Sequence, residues 1–355
     1  MITLDRALEI MGETLEGFSL QSETRPLHTS AGRILADSVS SAIDLPPFDK
    51  SAMDGFAVPE SQEIRAGDKW KIIETVRAGE VARYPLKDGA CTRIMTGAPV
   101  PKNAYKVIPV ELTQEDEDVM TLVKDSTALN ICKMGEDVTR GQIIAYKGDI
   151  LNPLKLAVLH GAGVETVPVY KPLKATVFST GDEVVGSMDE WGPGKIFDAN
   201  GPMLCALFRE AGVDVVEFRK LPDDPDLTRQ ELEAAISCGE LIAFSGGVSA
   251  GNFDFIPDAM KECGLDIHFT RLLVKPGKPM TYATGDKTFV FGFPGNPVST
   301  YVMFHLFALP AIRKLQGSRF LRKTFHLPMA NTWKRRKAER LEFFPVQIIE
   351  KTGSQ

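Results

Sequence analysis

Residues 241–299 constrain the fold more than any other part of the sequence. They contain three short apolar runs, at 241–244, 267–274 and 288–293. Each run is bounded by glycine, proline or polar residues and has the length of a buried strand rather than of a helix. The loops that follow are Ser245-Gly246-Gly247-Val248-Ser249, Lys275-Pro276-Gly277-Lys278-Pro279 and Pro294-Gly295-Asn296-Pro297-Val298-Ser299.

Strands and helices alternate upstream of these loops. Strand-like runs at 175–178, 213–218 and 241–244 are separated by two helical segments, one that begins near Asn200 as N-cap and one at 226–237. This order predicts a mostly parallel sheet with right-handed crossovers. Ligands of such sheets bind outside the carboxyl ends of the strands, so we expect the three loops to form one anion site. Taken singly, each loop is equally compatible with a plain tight turn.

The first 172 residues have a different pattern. Residues 1–25 are predicted to form an amphipathic helix that buries leucines and a methionine on one face, and 25–36 a further helix. Two prolines and a glycine then predict a rigid loop at 44–58. Short alternating runs between 69 and 137 predict an all-β lobe, with the acidic run at 115–118 as a solvated hairpin tip.

Composition excludes several classes of protein. The net charge of −6 gives no general attraction to nucleic acid or membrane surfaces. The five cysteines are scattered and form no CxxC pair, which is typical of free thiols in a reducing compartment. The N-terminus lacks the pattern of a signal peptide, and no apolar run approaches the ~18 residues of a membrane span. We therefore expect a cytoplasmic protein.

Five groups of residues, in order along the chain, match one family. They are 46–55 (PPFDKSAMDG), Thr96-Gly97-Ala98 with Gly135-Glu136-Asp137, Ser179-Thr180-Gly181-Asp182-Glu183, Ser245-Gly246-Gly247-Val248-Ser249, and the Lys275–Pro279 loop with the Pro294–Ser299 loop. The sequence thereby resembles the molybdopterin molybdenumtransferases, the family of bacterial MoeA and the gephyrin E domain. The resemblance extends from the N-terminus to about residue 315.

The resemblance implies an α/β and β multidomain fold and an elongated homodimer. A linking or dimerisation subdomain would combine 1–25 with 141–172, and a β-rich lobe at 26–140 would be inserted into it. An α/β, mostly parallel-sheet domain at 173–318 would bind molybdopterin, and 319–355 would form a short or incomplete C-terminal β subdomain. In this family the β lobe of one subunit completes the substrate site of the other.

The implied reaction inserts molybdate into adenylylated molybdopterin and releases AMP, with Mg²⁺. Matched position by position, the catalytic candidates are Asp54, Thr96, Asp137, Glu183, Asp223 and Asp254, and the candidate metal ligands are Asp137, Glu183 and Asp254. The candidates for substrate binding are Ser179, Thr180, Gly181, Asp182, Asp198, Asn200, Ser245, Gly246, Gly247, Ser249, Lys275, Gly277, Lys278, Pro294, Gly295, Asn296, Pro297 and Ser299. Lysine charge would offset that of the anions, and carboxylates beside them make sense when they hold a cation. Other proteins of molybdenum cofactor biosynthesis are further candidate partners.

Several residues depart from the family pattern. Lys106 brings positive charge where an acid is usual, Cys132 stands in place of an arginine, and Asn252 replaces an acidic residue. The C-terminal subdomain has about half its usual length. These departures leave an alternative open, a paralogue that binds molybdopterin or a partner without turnover. The sequence also does not separate molybdate from tungstate.

Overall fold

The fold was analysed in a computed structural model of the 355-residue chain. The structure describes residues 1–60, 64–247, 255–317, 325–330 and 339–348. Its helices are α1 (Leu4–Thr14), α2 (Pro153–Gly161), α3 (Asn200–Glu210), α4 (Pro225–Cys238), α5 (Ile256–Glu262), α6 (Pro297–Met303) and α7 (Leu309–Leu315). A π-helical turn, Phe304–Ala308, joins α6 to α7. Pro310 accounts for it, because proline lacks an N–H and crowds the carbonyl four residues earlier.

The strands form two six-stranded sheets and several short pairs. In chain order they are β1 (Ser22–Pro26), β2 (Val39–Ser40), β3 (Lys50–Ser51), β4 (Gly55–Pro59), β5 (Lys69–Val76), β6 (Ala90–Ile94), β7 (Ala104–Pro109), β8 (Thr113–Asp116), β9 (Val119–Leu122), β10 (Ile131–Cys132), β11 (Ile143–Ala145), β12 (Thr166–Tyr170), β13 (Lys174–Thr180), β14 (Val184–Val185), β15 (Ile196–Phe197), β16 (Asp214–Leu221), β17 (Leu241–Ser245), β18 (Asp266–Arg271), β19 (Val274–Lys275), β20 (Pro279–Thr284), β21 (Phe289–Phe293) and β22 (Leu341–Glu342). Short 3₁₀ turns lie at Leu27–Thr29, Val110–Leu112 and Met188–Glu190.

The α/β unit contains the predicted mostly parallel sheet, in the order β16-β13-β17-β21-β20-β18. The first four strands are parallel, and β17 and β21 are buried along their whole length. Apolar clusters cover both faces, one around Phe208 and Phe291 and the other around Phe178 and Phe244. Burial on both faces explains the near-continuous apolar runs that these strands show in the sequence.

Strand direction brings the predicted loops to one edge of this sheet. β20 is antiparallel to β21, and β18 is antiparallel to β20, so β18 runs in the same direction as the parallel strands. The segment after β18, including the Lys275–Pro279 loop, therefore follows a strand that ends at the carboxyl edge. The loops after β13, β17 and β21 begin at this edge too.

The β-rich lobe is built on a curled sheet in the order β7-β4-β6-β5-β9-β8. Strands β5, β6, β7 and β9 lie where the alternating sequence runs predict them. The rigid loop predicted at 44–58 is wrong in part, because β3 and most of the fully buried β4 lie within it. Apolar clusters around Phe56 and Ile94 cover the two faces of the sheet. The acidic run forms the predicted hairpin tip between β8 and β9, with Glu117 at a φ of 53°.

The N-terminal segment is less helical than predicted. The helix expected over 1–25 ends at Thr14; Leu4, Met11 and Leu15 are buried against the core of the α/β unit. The helix predicted at 25–36 is wrong, because β1 pairs there with β12 and a short 3₁₀ turn follows. Pro26 disfavours helical geometry at the residue before it, which suits an extended strand.

The linking unit joins distant parts of the chain. Besides the β1–β12 pair, β2 pairs with β11, and Leu27, Leu35 and Val39 pack in one cluster with residues of 145–169. The packing of 27–39 favours a boundary with the β lobe near residue 44 rather than residue 25, and we propose it there. Much of 319–355 lies outside the described residues; within it β22 pairs with β19. No helix in the described residues is long and apolar enough to cross a membrane.

Candidate functional site

A cleft of about 270 Å³ lies at the carboxyl edge of the α/β sheet. Twelve predicted substrate-binding or catalytic residues line it: Ser179, Thr180, Gly181, Glu183, Asp198, Asn200, Asp223, Ser245, Gly246, Gly247, Gly295 and Pro297. Its remaining lining residues, which the sequence prediction missed, are Val184, Ile196, Phe197 and Ala199. The signal for these was weak, because four apolar residues spread over a glycine-containing segment show no clear period. The loops after β13, β17 and β21 thus share one cleft.

Glycine is required where the loop after β17 closes against the neighbouring strand. Gly246 and Gly247 have φ values of 87° and 64°. A Cβ at Gly247 would lie 2.7 Å from Cδ1 of Ile256 and 3.0 Å from Oγ1 of Thr180. The Thr180 hydroxyl donates to the Ser245 carbonyl at 3.2 Å, which ties the first two loops together. Ser249 and Asp254, predicted for the same loop, lie outside the described residues, as does Asn252.

The start of α3 differs from the prediction. The expected N-cap, Asn200, is instead the first helical residue. Oδ1 of Asp198 takes the capping role and accepts from the N–H groups of Asn200 at 3.0 Å and Gly201 at 2.8 Å. The Asn200 amide is therefore released for another contact, and its Nδ2 donates to the Gly295 carbonyl at 2.7 Å. This bond joins α3 to the loop after β21.

Three carboxylates line the cleft, those of Glu183, Asp198 and Asp223. The Glu183 carboxylate packs against Gly181. A Cβ at Gly181 would lie 2.5 Å from Oε2 of Glu183. Asp182 is not among the residues that line the cleft; its Oδ1 accepts from the Asp223 N–H at 3.2 Å and so shapes the turn that carries Asp223.

These carboxylates do not make a preformed metal cage. Across the described ranges, no group of three or more His, Cys, Asp or Glu side chains is arranged to hold a metal ion. Mg²⁺ usually takes one or two carboxylates and completes its shell with phosphate oxygens and water. Glu183 and Asp223 are the predicted catalytic carboxylates that line the cleft.

Residues of the loop after β21 have two different roles, since some shape the loop and others line the cleft. Asn296 caps α6, since its Oδ1 accepts from the Ser299 N–H at 3.2 Å. The Thr300 hydroxyl donates to the Pro294 carbonyl at 2.6 Å. Pro294, Asn296 and Ser299 thus shape the loop, while Gly295 and Pro297 line the cleft.

The lysine-bearing loop contributes none of the residues that line the cleft. Lys275 forms an ion pair with Glu342, with Nζ and Oε1 2.8 Å apart. Backbone bonds from Leu341 to Leu273 and from Phe343 to Lys275 align the two segments. Lys278 is exposed. Hence the two predicted anion-binding lysines are not equivalent, because Lys275 carries a carboxylate partner.

Gly277 fixes the conformation of that loop. It has a φ of 96°, and a Cβ there would lie 2.6 Å from Sδ and Cε of the buried Met303. An alanine would therefore face both backbone strain and a steric clash.

Two of the predicted residues of the β-rich lobe, Asp54 and Thr96, are in direct contact. Oδ1 of Asp54 accepts from the N–H and the hydroxyl of Thr96, both at 2.7 Å. Both hydrogen bonds lower the pKa of Asp54 from its ordinary value, and the bond from the Thr96 N–H has the larger effect. Asp137 is exposed, and its N–H donates to the Leu45 carbonyl at 3.0 Å, which places its loop beside residues 44–54.

Asp49 links the segment 44–54 to residues 133–134. Its carboxylate accepts from Nζ of Lys133 and from the N–H of Met134, each at 2.8 Å. The Lys133 bond, with that of Met134, lowers the pKa of Asp49. Asp54, Thr96 and Asp137 are nonetheless absent from the described lining of the cleft in the same chain.

Two departures from the family pattern have structural explanations. Lys106 is 4% exposed, and its Nζ donates to the Ser126 carbonyl, so it anchors the segment before β10 rather than offering charge to solvent. Burial lowers the pKa of this lysine. Burial raises the pKa of Cys132, and a hydrogen bond with Glu136 adds to the effect, so the thiol stays protonated at neutral pH.

A larger groove of about 1100 Å³ lies at the opposite edge of the sheet. The amino ends of the parallel strands line it, near Lys174 and Asp214. It holds none of the predicted site residues, and its charges are partly paired, as in the 3.2 Å contact between Arg25 and Glu23. The smaller cleft is therefore the better candidate.

Known proteins share this architecture. Residues 2–163 match the family described as MoeA N-terminal region (domain I and II), and residues 176–314 match a probable molybdopterin binding domain. A molybdopterin molybdenumtransferase of Staphylococcus aureus (strain MRSA252) is 34% identical over 316 residues, which make up 86% of this chain and 75% of that protein. One from Staphylococcus epidermidis (strain ATCC 12228 / FDA PCI 1200) is 35% identical over 298 residues, 82% of this chain and 71% of that protein.

A solved structure gives the same result. The molybdopterin biosynthesis MoeA protein from Pyrococcus horikosii superposes with a TM-score of 0.76 at 30% identity, over 89% of this chain and 80% of that one. The sequence motifs, the fold and these relatives agree, and the chain belongs to the molybdopterin molybdenumtransferase family.

Proposed function

We propose that this protein inserts molybdate into adenylylated molybdopterin and releases AMP. The observation that carries the proposal is the cleft at the carboxyl edge of the sheet, where glycine-rich loops and the carboxylates of Glu183 and Asp223 meet. The named function of the curated relatives, which share about a third of their residues with this chain, supports the same reaction.

The negative charge of the cleft favours a substrate that binds together with Mg²⁺. A pyrophosphate would be repelled by carboxylates alone, and Mg²⁺ supplies the compensating charge when bound. Glu183 and Asp223 are the residues of the cleft that would hold it. Glycines at 246 and 247 let their loop adopt positive φ and pack against Thr180 beside the cleft. Hydrolysis of the pyrophosphate forms a bond from water oxygen to phosphorus and breaks the bridging P–O bond, and a carboxylate takes the released proton.

The proposed site is shared between two subunits of a homodimer. The candidates Asp54, Thr96 and Asp137 all belong to the β-rich lobe, and the described lining of the cleft in their own chain contains none of this group. A second subunit is the source that supplies such a group without rearranging either fold. The lowered pKa of Asp54 suits a carboxylate that remains charged beside a cation.

A turnover assay tests the proposal. The full chain is incubated with adenylylated molybdopterin, and AMP is followed with and without molybdate and Mg²⁺. We expect AMP release that requires Mg²⁺ and is coupled to molybdate. Tight binding of the substrate without AMP release would instead establish the alternative, a molybdopterin-binding paralogue that lacks turnover.

Variants separate binding from chemistry. A charge-assisted hydrogen bond is worth about 1.5–3 kcal/mol, so Lys278→Ala should weaken substrate binding roughly ten- to a hundredfold and leave the Mg²⁺ dependence unchanged. Asp137→Asn should still bind substrate but require more Mg²⁺ or lose turnover. Lys287→Ala and Asp286→Asn, at exposed positions of the opposite edge, are the matched controls. Normal binding by Lys278→Ala, or an unchanged Mg²⁺ titration of Asp137→Asn, would contradict these roles.

A further inference from the structure

The Asn200 side chain carries an unused hydrogen-bond acceptor at the cleft. The residue is 7% exposed and lines the cleft. Its Nδ2 donates to the Gly295 carbonyl at 2.7 Å. Its Oδ1 is buried and has no hydrogen-bond partner in the described part of the chain.

The Gly295 contact fixes which atom of the amide is unused. Turning the amide over would place Oδ1 against the Gly295 carbonyl, so that two acceptors would face each other. The orientation with Nδ2 on Gly295 is therefore the favourable one, and the atom left over can only accept.

A buried acceptor without a partner is uncommon in native proteins. Leaving a buried acceptor unpaired costs free energy, so a ligand N–H that pairs with it gains more than it would at a solvent-exposed oxygen. The phosphate and molybdate oxygens of the substrate are themselves acceptors and do not satisfy it.

The neighbouring residues suit a flat ring. Phe197 and Asp198 precede Asn200 in the chain and line the same cleft, together with Ile196 and Pro297. This combination of apolar surface and acceptor atoms is typical of sites for nitrogen heterocycles, whereas the glycines at 246 and 247 lie on a different loop.

We propose that Oδ1 of Asn200 accepts a hydrogen bond from an N–H of the substrate's heterocycle and thereby determines specificity for that ring. The inference rests on the proposed function, which supplies two such rings, pterin and adenine. In either case Asn200 binds the ring, while the anionic part of the substrate lies elsewhere in the cleft.

Ligand pairs that differ in N–H donors test the inference on the full chain. Pterin is compared with 1,3-dimethyllumazine, a pteridine that lacks N–H donors, and AMP with purine riboside 5′-monophosphate, which lacks the 6-amino group. Binding is measured by pteridine fluorescence quenching and by calorimetry. We expect the parent to prefer the donor-bearing member of one pair by about three- to tenfold, and Asn200→Ala to abolish that preference.

Two variants separate recognition from structure. Asn200→Asp keeps an acceptor but loses the donor to Gly295, so it should retain the preference. Thr300→Val removes the similar loop bond to the Pro294 carbonyl and should also retain it. The pair that shows the effect identifies the ring as pterin or adenine.

Equal binding of both members of both pairs by the parent would overturn the inference without involving any variant. So would an Asn200→Ala protein that keeps the preference, or the loss of the preference in Asn200→Asp and Thr300→Val as well as in Asn200→Ala. Failure of the proposed function is a separate observation, since it is the absence of AMP release by the parent protein.

Discussion

The Gly277→Ala substitution offers a quantitative test of the lysine-bearing loop. Gly277 has a φ of 96°, and a Cβ would lie 2.6 Å from Sδ and Cε and 2.8 Å from Cγ of Met303. A non-glycine residue at positive φ costs about 1–2 kcal/mol, and overpacking a buried site costs about 1–3 kcal/mol. Met303 is fully buried, so it has little room to move away. We therefore expect a loss of stability of about 2–5 kcal/mol.

Calorimetry measures this loss as a lower melting temperature of the α/β unit. For a unit of this size, 1 kcal/mol shifts the midpoint by about 2–4 °C, which gives a decrease of roughly 4–20 °C. Gly295→Ala is the matched control, because a Cβ there has no heavy atom within 4 Å among the described residues. Its stability should stay within about 0.5 kcal/mol of the parent, although its methyl group enters the cleft and should weaken ligand binding. A Gly277→Ala protein that melts with the parent would refute the reasoning, as would an equal loss in Gly295→Ala.

Three further predictions concern charge. Thr96→Val removes one of the two donors to Asp54, so the pKa of Asp54 should rise toward its ordinary value; NMR titration of the carboxyl carbon checks it, and an unchanged pKa would show that the hydroxyl bond is weak. Because that pKa is lowered in the folded protein, the associated stability is present at neutral pH and is lost as the pH falls through the folded value, earlier in Thr96→Val. Glu342→Gln removes the partner of Lys275 and should strengthen molybdate binding by a few-fold in calorimetry at low salt, whereas unchanged affinity would place Lys275 away from the anion. Burial lowers the pKa of Lys106, so the unfolded state binds the proton more readily than the folded state. The free energy of unfolding should therefore rise with pH between the folded pKa and the ordinary one. Denaturation of Lys106→Met across that range should lack this rise, and an equal rise would point to another group.

The fold was largely predictable because the α/β unit has a strong local signal. Strands buried on both faces appear in the sequence as short apolar runs, and the helices between them carry prolines and caps at their starts. The gathering of the loops at one edge follows from strand direction alone. The helix predicted at 25–36 fails at its start, where β1 pairs with β12, and that partner lies more than 130 residues away.

The site was predictable in its location but not in its internal contacts. The motif residues at 179–183 and 245–247 do line one cleft. The exchange of capping roles between Asp198 and Asn200 depends on the Gly295 carbonyl, which only the folded sheet brings near. The pairing of Lys275 with Glu342 likewise joins residues that no local pattern connects. The cap at Asn296 was within reach of the sequence, since asparagine followed by proline is typical of a helix start.

The shared site is the central claim, and subunit complementation tests it most directly. Asp54→Asn alters only the β lobe, and Glu183→Gln alters only the cleft, so each homodimer should lack AMP release. In a mixed dimer of the two variants, one site carries both changes and the other carries neither. Random mixing should then restore about a quarter of the parent activity, because half of the dimers are mixed and each has one intact site of two. Inactivity of the mixture, with mixed dimers verified by mass, would contradict a site built from two subunits.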